Sequence, residues 1–305
     1  MAEDLEVTKM QGTARRWLVV GAAGMLGQDV RTAAADAGHQ VTGVGRKDLD
    51  ITDAAATRAT VAGYDVVVNC AAWTAVDDAE THEPEAFAVN ATGAANLARA
   101  TAAAGARLVH VSTDYVFDGG ATEPYPEDAP VQPRSAYGRT KAAGEWAVRA
   151  EAPDTVVVRT AWLYGAGGRC FPKTIARVAG ERDRLSVVDD QIGQPTWTAD
   201  VADLIVRLVG VEAPGGIYHG TSSGRVTWWG FAREIVTAAG HSTPVDTTTS
   251  AAYQLPAPRP AYSVLGHDRL RAVGVEPIGD WAERWKVAAP GVLDRRGQSS
   301  SSPSR

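Results

Sequence analysis

Short, nearly continuous apolar runs recur through the first half of the chain and alternate with alanine-rich stretches of mixed polarity. The apolar runs have the length of strands and lack a regular polar alternation, a pattern typical of strands covered on both faces. We predict strands at residues 17–20, 40–45, 65–72, 107–112 and 155–160. The composition between them predicts helices at residues 28–34, 54–62, 84–104 and 136–150. Because strand and helix alternate, we expect an α/β fold with a doubly wound parallel sheet and crossover helices.

Beyond Gly165 the alternation becomes less regular. The pattern predicts helices at 173–180, 200–209 and 228–239, strands at 185–188 and 216–220, and loops rich in proline or glycine at 190–196 and 256–260. We therefore divide the chain into a first domain at 17–163, rejoined by about 199–220, and a smaller, interleaved C-terminal α/β lobe at 164–198 and 221–288. The polar segment 1–16 and the segment 289–305, which ends in a serine-rich tail, are predicted to be disordered.

The composition narrows the class of protein. Of 305 residues, 45% are hydrophobic and 22% are charged, which is ordinary for a globular protein, and the net charge of −6 offers no basic surface to nucleic acid. Two cysteines, Cys70 and Cys170, are too few for a disulfide framework or a metal-ligand cluster. The sequence shows neither a signal-like N-terminus nor an apolar stretch long enough to cross a bilayer. We expect a cytoplasmic protein with no nucleic-acid partner, no membrane partner and no metal site.

Three evenly spaced glycines follow the first predicted strand. Gly21, Gly24 and Gly27 punctuate the turn into the first helix. Glycines at this spacing let the backbone approach a pyrophosphate, which the N–H groups and positive dipole of the helix N-terminus stabilise. The spacing alone also fits an ordinary tight turn, but the strand before it and the helix and second strand after it favour a Rossmann-type dinucleotide site. We assign to this site Gly21, Ala23, Gly24, Met25, Leu26 and Gly27.

The end of the second strand indicates which dinucleotide binds. Arg46 stands where a site for NAD often presents an acidic residue to the ribose hydroxyl groups. A guanidinium there suits the 2′-phosphate of NADPH instead. We expect NADPH, and NADH stays the alternative if Arg46 is only a solvated loop charge.

The candidate catalytic residues come after the next strands. Tyr137 and Lys141 are four residues apart in a predicted helix and so share one face. An adjacent ammonium group lowers the pKa of a phenol, ordinarily about 10, by favouring the phenolate. Thr113 ends a strand at the edge where parallel sheets bind ligands. For the reduction of a ketone, we predict that Thr113 polarises the carbonyl group, Tyr137 supplies the proton, and Lys141 also contacts the nicotinamide ribose. A surface pair on an amphipathic helix is the alternative.

Five stretches of the chain, in this order, resemble one family. They are residues 68–77 (VNCAAWTAVD), 112–119 (STDYVFDG), 137–141 (YGRTK), 159–165 (RTAWLYG) and 190–196 (DQIGQPT). On these stretches the chain is similar to extended short-chain dehydrogenases/reductases and, within them, to dTDP-4-dehydrorhamnose reductases, over about residues 17–285. The resemblance implies reduction of the C4 ketone of a dTDP-4-keto-6-deoxyhexose, forming dTDP-L-rhamnose in the best-known case.

The same resemblance implies further site residues. Those implied to contact the sugar are Thr74, Val76, Tyr115 and Trp162. Arg259 is placed in a loop suited to the nucleotide diphosphate, since a guanidinium matches phosphate oxygens well. The remaining cofactor contacts are Asp50, Ile51, Ala71, Ala72, Tyr137 and Lys141. Packing of Trp162 in a core and a solvated position for Arg259 stay open as alternatives.

Some members of the family dimerise through magnesium held by carboxylates. Asp29 stands at one such position, whereas the other position holds Ala199. A magnesium bridge is therefore not expected, and we leave the protein as a monomer or a homodimer. The acidic run at 77–80 is interpreted as a solvated helix start rather than a metal site.

Three other functions stay open. The nearest keeps the chemistry and changes the sugar, to another dTDP-deoxysugar ketone of the dihydrostreptose or antibiotic type. The second is a non-catalytic regulatory subunit, as a relative provides to a methionine adenosyltransferase, and the intact set of Thr113, Tyr137 and Lys141 argues against it. The third is a sugar epimerase or dehydratase, which shares the scaffold but retains NAD(H) through its cycle. The sequence does not identify the sugar.

Overall fold

A parallel sheet forms the centre of the structure, a computed structural model that describes residues 13–294. Its six strands are β1 (Arg16–Val20), β2 (Gln40–Val44), β3 (Val66–Asn69), β4 (Arg107–Thr113), β5 (Val156–Thr160) and β10 (Gly216–His219). They lie in the order β2, β1, β3, β4, β5, β10, and every neighbouring pair is parallel. The strand order changes direction at β1, which is where doubly wound sheets bind ligands. The predicted fold class is confirmed.

Helices cover both faces of this sheet. They include α1 (Met25–Asp36), α2 (Ala54–Val61), α3 (Glu83–Phe87), α4 (Ala94–Ala104), α5 (Ala136–Glu151) and α7 (Thr198–Gly210). Successive residues of β1 point to opposite faces. Trp17 and Val19 are buried in one apolar core, and Leu18 and Val20 are buried in another. The continuous apolar run of β1 is therefore explained by burial on two sides.

The C-terminal lobe is built from shorter elements. Its helices are α6 (Phe171–Ala179), α8 (Trp228–Ala238) and α10 (Trp281–Leu293), whereas α9 (Asp268–Ala272) packs against β10 and buries Leu270 in the same core as Trp17. Its strands pair as β6 (Leu163–Tyr164) with β9 (Thr196–Trp197), β7 (Leu185–Val188) with β13 (Val245–Thr248), β8 (Ile192–Gly193) with β12 (Val226–Thr227), and β11 (Ser222–Ser223) with β14 (Ile278–Asp280). Tyr164, Phe231 and Trp285 are buried in a third apolar core. No helix between residues 13 and 294 has the length and apolar character needed to span a bilayer.

The chain returns to the central sheet late in the sequence. Helix α7 packs against α1, and β10 pairs with β5 at the edge of the sheet. The predicted return at about 199–220 falls on these two elements. The division into a cofactor domain and a sugar lobe stays a prediction.

Both ends of the described chain differ from the predicted disordered segments. Arg16, assigned to the first segment, begins β1 and pairs with Gln40. Helix α10 continues to Leu293, so the prediction of disorder from residue 289 is wrong up to that point. The physical reason is that Ala289 and Val292 are buried in the third core, which holds the last turns of the helix. The remainder of both segments, 1–12 and 295–305, lies outside the described residues.

The helix predicted at 84–104 is interrupted. A π-helical turn, Ala88–Gly93, joins α3 to α4. Such turns widen the helix locally and are frequent at functional sites. The composition of the segment predicts a helix but gives no sign of this interruption.

Candidate active site

A cavity of about 1220 Å³ opens at the carboxyl ends of the central strands. Gly21, Ala71, Thr113 and Thr160 line it, each at or just beyond the end of β1, β3, β4 or β5 respectively. A site for a single small molecule usually measures about 300–1,000 Å³. The cavity is therefore large enough to hold two ligands side by side.

The turn between β1 and α1 brings backbone rather than side chains to the cavity. Gly21 has a φ of 78°, and a Cβ atom there would lie 2.6 Å from the backbone N of Ala71. A Cβ atom on Gly27 would overlap the carbonyl O of Gly21. Helix α1 begins after Gly24, which has no side chain to cap it. Because the N–H groups of its first turn have no intrahelical acceptor, this turn fits the diphosphate of a dinucleotide.

The other residues predicted to bind the cofactor also line the cavity. They are Ala23, Met25, Leu26, Arg46, Asp50, Ile51, Ala71 and Ala72. Arg46 is exposed just after β2. The carboxylate of Asp50 accepts hydrogen bonds from the N–H and the hydroxyl of Thr52, which hold the pKa of Asp50 below its usual value. A position in the cavity does not test a contact, so the binding roles stay predictions.

Thr113, Tyr137 and Lys141 meet in the same cavity. The close approach of α5 to the end of β4 brings them together. Gly138 lies so near the turn after β4 that a Cβ atom would overlap the carbonyl O of Tyr115. The rings of Tyr115 and Tyr137 then meet edge to face, with centroids 5.6 Å apart. We call Thr113, Tyr137 and Lys141 the candidate trio, and their catalytic roles stay predictions.

The hydroxyl of Thr113 lies at the centre of a short hydrogen-bonded chain. Its Oγ1 donates to Oδ1 of Asp114 at 2.9 Å and accepts from the N–H of Tyr115 at 3.2 Å. Thr113 also forms a side-chain hydrogen bond with Tyr137. Asp114 is buried, and burial raises its pKa to about 6. The sequence indicated Thr113 but not Asp114, although Asp114 follows it directly.

The ionisation of the trio differs from the prediction. Burial raises the pKa of Tyr137 to about 12, and the hydrogen bond with Thr113 opposes this only in part. Burial lowers the pKa of Lys141 to about 8, opposed by the negative charge of Glu145. The Nζ of Lys141 donates to the carbonyl O of Val111 at 2.7 Å. The prediction that Lys141 lowers the pKa of Tyr137 is wrong for this arrangement, because the loss of hydration dominates and keeps the phenol protonated.

A buried ion pair beside the trio was not predicted. Arg159 on β5 and Glu145 on α5 form two hydrogen bonds, Nε to Oε1 at 2.9 Å and Nη2 to Oε2 at 2.7 Å, and both side chains are at most 1% exposed. Ser112 donates to the same carboxylate at 2.5 Å. The spacing of Lys141 and Glu145 by four residues could have indicated Glu145. Nothing local in the sequence indicates that Arg159 is its partner.

The π-helical turn places one amide where it joins two walls of the cavity. Oδ1 of Asn90 accepts from the N–H of Trp73 at 2.8 Å, and its Nδ2 donates to Oγ1 of Thr140 at 3.0 Å. Trp73 lines the cavity and Thr140 directly precedes Lys141. Asn90 therefore fixes the loop after β3 against α5. No apolar period or motif marks Asn90 in the sequence.

The residues predicted to contact the sugar divide into two groups. Those that line the cavity are Thr74, Val76, Tyr115 and Trp162. Arg259 instead forms an ion pair with Asp77, in which Nη2 lies 2.7 Å from Oδ2, and it is not among the lining residues. This pair holds the pKa of Asp77 below its usual value. The assignment of Arg259 to the diphosphate stays a prediction.

The acidic run at 77–80 has specific partners. Besides the pair of Asp77 with Arg259, Oε1 of Glu80 accepts from the N–H of Ala136, the first residue of α5, at 2.7 Å. As predicted, the run starts a short helix, the 3₁₀ turn Asp78–Glu80, and Asp78 is exposed. Asp77 and Glu80, however, are partly buried and engaged, so the interpretation as solvated is wrong for these two. The carboxylate of Glu80 connects the loop after β3 to α5, and that of Asp77 connects it to the C-terminal lobe.

Of the two positions considered for a magnesium bridge, Asp29 and Ala199, only Asp29 carries a carboxylate. Asp29 on α1 forms a hydrogen bond with Thr198 on α7, and burial raises the pKa of Asp29. Between residues 13 and 294, no group of three or more histidine, cysteine, aspartate or glutamate side chains is arranged to hold a metal ion.

Known proteins are similar to this chain in sequence and in fold. The family model described as the RmlD substrate binding domain matches residues 15–291. A dTDP-4-dehydrorhamnose reductase of Streptomyces griseus is 48% identical, over 94% of this chain and 97% of that protein. A probable dTDP-4,6-dihydroxy-2-methyloxan-3-one 4-ketoreductase of Streptomyces antibioticus is 47% identical, over 91% of this chain and 96% of that protein. The crystal structure of a dTDP-4-dehydrorhamnose reductase from Bacillus anthracis in complex with NADP superposes with a TM-score of 0.88 at 35% identity, and covers 90% of this chain and 98% of that chain.

Proposed function

Since the chain belongs to the family of the RmlD substrate binding domain, we propose that it reduces the C4 ketone of a dTDP-4-keto-6-deoxyhexose with NADPH. The proposed reaction converts dTDP-4-dehydrorhamnose to dTDP-L-rhamnose. One observation carries the proposal: a single cavity of about 1220 Å³ holds both the glycine turn and the candidate trio. The names of the relatives supply the substrate class, and the Bacillus anthracis structure supplies the cofactor.

The glycine turn and the end of β2 would hold the cofactor. When bound, NADPH supplies the hydride. The N–H groups of the first turn of α1 would bind its diphosphate, because Gly24 and Gly27 leave the backbone accessible there. The exposed guanidinium of Arg46 would pair with the 2′-phosphate. Nζ of Lys141, held by the carbonyl of Val111, keeps two further N–H donors for the ribose hydroxyl groups.

Tyr137 would deliver the proton. As negative charge develops on the ketone oxygen, an acid that is already protonated must be within hydrogen-bonding distance. Burial keeps the phenol of Tyr137 in its protonated form, with a pKa of about 12, and the hydrogen bond with Thr113 orients it. Thr113 would stabilise the same oxygen once its hydroxyl turns from Asp114 to the ligand. A phenol that is protonated at neutral pH thus fits a proton donor in the direction of reduction.

The oxidation of NADPH in the presence of dTDP-4-dehydrorhamnose tests the proposal. We expect loss of nicotinamide absorbance that depends on the sugar nucleotide, and dTDP-L-rhamnose as the product identified by mass spectrometry and NMR. The matched cofactor control is NADH, which should give a higher KM, and Arg46→Ala should reduce the difference between the two. Binding of NADPH without turnover of any dTDP-4-ketosugar would contradict the proposal and favour the regulatory subunit.

A second sugar is supported by a specific observation. The Streptomyces antibioticus relative at 47% identity and a Streptomyces niveus relative at 46% identity are described as reductases of other dTDP-deoxysugar ketones. A panel of dTDP-4-ketosugars under the same assay compares the two candidates. The larger kcat/KM identifies the natural sugar, and release of spent cofactor after each turnover distinguishes reduction from epimerisation.

We propose further that the protein works in the cytoplasm as a monomer or a homodimer that needs no magnesium bridge. The supporting observation is that Asp29 faces Thr198 within the chain and that the second position is Ala199. Light scattering with and without EDTA should give the same mass. A mass that falls on addition of EDTA would contradict this.

A further inference from the structure

Trp162, two residues after the end of β5, has an unusual backbone conformation. Its φ is 48°, in the left-handed region that glycine favours. Among residues 13–294, Glu212 is the only other non-glycine residue with a positive φ. A large side chain is disfavoured there and persists only where its surroundings hold it. Trp162 is half-buried and lines the cavity. The strain therefore coincides with a wall of the candidate site.

Two neighbours hold the indole of Trp162. The ring of Trp228 stacks on it, with centroids 3.5 Å apart and planes inclined by 6°. The backbone of Gly193 approaches so closely that a Cβ atom there would overlap Cε2 of Trp162. Since one ring face is covered by Trp228, the indole has little freedom to turn.

The position of Trp228 is itself fixed by several contacts. It is the first residue of α8, which Thr227 caps by accepting from the N–H of Gly230 at 3.1 Å. Strand β12 directly before it pairs with β8, which contains Gly193. Nε1 of Trp228 donates to Oε1 of Gln191 at 3.1 Å. The stack is therefore anchored to the C-terminal lobe through both backbone and side chain.

We infer that Trp228 is a positioning residue that holds the strained indole of Trp162 as the wall against which the sugar of the substrate packs. This rests on the proposed function, because that function places a sugar nucleotide beside Trp162. Trp228 does not line the cavity and would act only through Trp162. The stack would give the sugar a rigid aromatic surface without loss of side-chain freedom on binding.

Trp228→Leu tests the inference, with Trp229→Leu as the matched control. Trp229 is the next residue on α8, is equally half-buried, donates to the carbonyl O of Val245 and stacks with Arg233, so it lies outside the cavity and outside the stack. We expect Trp228→Leu to weaken binding of dTDP-L-rhamnose about five- to tenfold and to leave binding of dTDP and of NADPH unchanged. Trp229→Leu should leave all three affinities unchanged.

A spectroscopic signal separates positioning from general stability. The stacked indoles should give an exciton circular-dichroism signal that Trp228→Leu abolishes and Trp229→Leu preserves. If Trp228→Leu does not fold, Gly193→Ala reaches the same ring from the other neighbour, and its Cβ should displace Trp162 and weaken dTDP-L-rhamnose binding to a similar degree. Trp228→Phe should restore part of the affinity, since a smaller ring still stacks.

The outcomes distinguish this inference from the proposed function. Two results would overturn the role of Trp228 and leave the proposed function in place. One is an equal loss of affinity for dTDP and for dTDP-L-rhamnose, and the other is an unchanged affinity for dTDP-L-rhamnose in a folded variant that has lost the exciton signal. Failure of the unmodified protein to bind any dTDP-sugar would overturn the proposed function and this inference with it.

Discussion

Two sides of the cavity are held in place by different contacts. The glycine-turn side contains the turn at 21–27 and the start of α5 with Tyr137, and the sugar side contains Trp162 and the loop after β3. On the first side, positions are set by backbone: Gly27 and Gly138 each approach a neighbouring carbonyl group too closely for any side chain. On the second side, positions are set by side chains, namely the stack of Trp162 and the ion pair of Asp77 with Arg259. A substitution on the sugar side can remove one contact while the sheet keeps its packing. A side chain at Gly27 or Gly138 on the glycine-turn side would instead shift a helix and its neighbouring backbone together.

This difference explains how one fold can serve related sugars. The two Streptomyces relatives at 48% and 47% identity are described as acting on different dTDP-sugars. A wall held by side chains can change its shape through single substitutions, whereas a proton donor held by close backbone packing stays in place. We expect variation among relatives to concentrate on the sugar side.

The largest effect should come from the glycine-turn side. Tyr137→Phe removes the proton donor without changing the packing of α5, so kcat should fall by about 10²–10⁴-fold. The Kd for NADPH and the midpoint of urea unfolding should stay as in the unmodified protein. Single-turnover oxidation of NADPH measures the effect, and a residual rate above about one tenth would assign the proton to another group.

The next effect tests how strongly this side depends on its buried charges. Glu145→Gln leaves the guanidinium of Arg159 buried without a carboxylate, and should lower the free energy of unfolding by about 3–5 kcal/mol. Urea unfolding measures it. Glu151→Gln is the control on the same helix, because its pair with Arg99 is largely solvent-exposed and should contribute less than about 1 kcal/mol. Similar losses in the two variants would mean that burial does not decide how much the pair of Glu145 and Arg159 contributes.

The pH dependence should be smaller and should arise from Lys141. Its pKa is lowered to about 8, so the ammonium is present below pH 8 and is lost as the pH rises through that value. We expect kcat/KM for NADPH to be level from about pH 7 to pH 8, above the pKa of Asp114 of about 6, and to fall about tenfold per pH unit at higher pH. Tyr137 has a pKa of about 12, so its ionisation should not change the rate in this pH range. Arginine stays charged in this pH range, so Lys141→Arg should lower the rate but remove the fall in rate at alkaline pH. If the fall persists in this variant, the titrating group is not Lys141.

The smallest effect sharpens the description of the sugar side. If Arg259 binds the diphosphate, Arg259→Met should weaken dTDP binding about fivefold, whereas Asp77→Asn should leave it unchanged or strengthen it. The expected difference arises because Asp77 competes with phosphate for the same guanidinium. Calorimetric titration with dTDP measures both variants. Equal losses would mean that Arg259 serves only to join the lobe to the loop after β3.

The sequence predicts the parts of the site whose signals are local. Gly21, Gly24 and Gly27 show the turn because glycine spacing and a following helix occur within a few residues, and Tyr137 and Lys141 show one helical face through their spacing. All five line the cavity. Strand and helix composition was sufficient for the fold class because the apolar runs are long enough to indicate burial on both faces.

The other parts of the site depend on contacts between residues that are far apart in the chain. Asn90, Glu145 and Trp228 each act through a residue that is distant in sequence or belongs to another element, and a single sequence does not show such pairs. The error in the ionisation of Tyr137 has the same origin, since the degree of burial depends on the whole fold. The acidic run at 77–80 is a further case, because the partner of Asp77 is in the C-terminal lobe.

The late return of β10 has a consequence for synthesis on the ribosome. β10 pairs with β5 but is translated roughly 60 residues after it. At about 5–20 residues per second, the free edge of β5 would wait about 3–12 s for its neighbour. An open strand edge is a template for association between nascent chains. Expression of a fragment that ends before residue 216 should therefore yield aggregates, and slower elongation should lower the yield of the full-length chain.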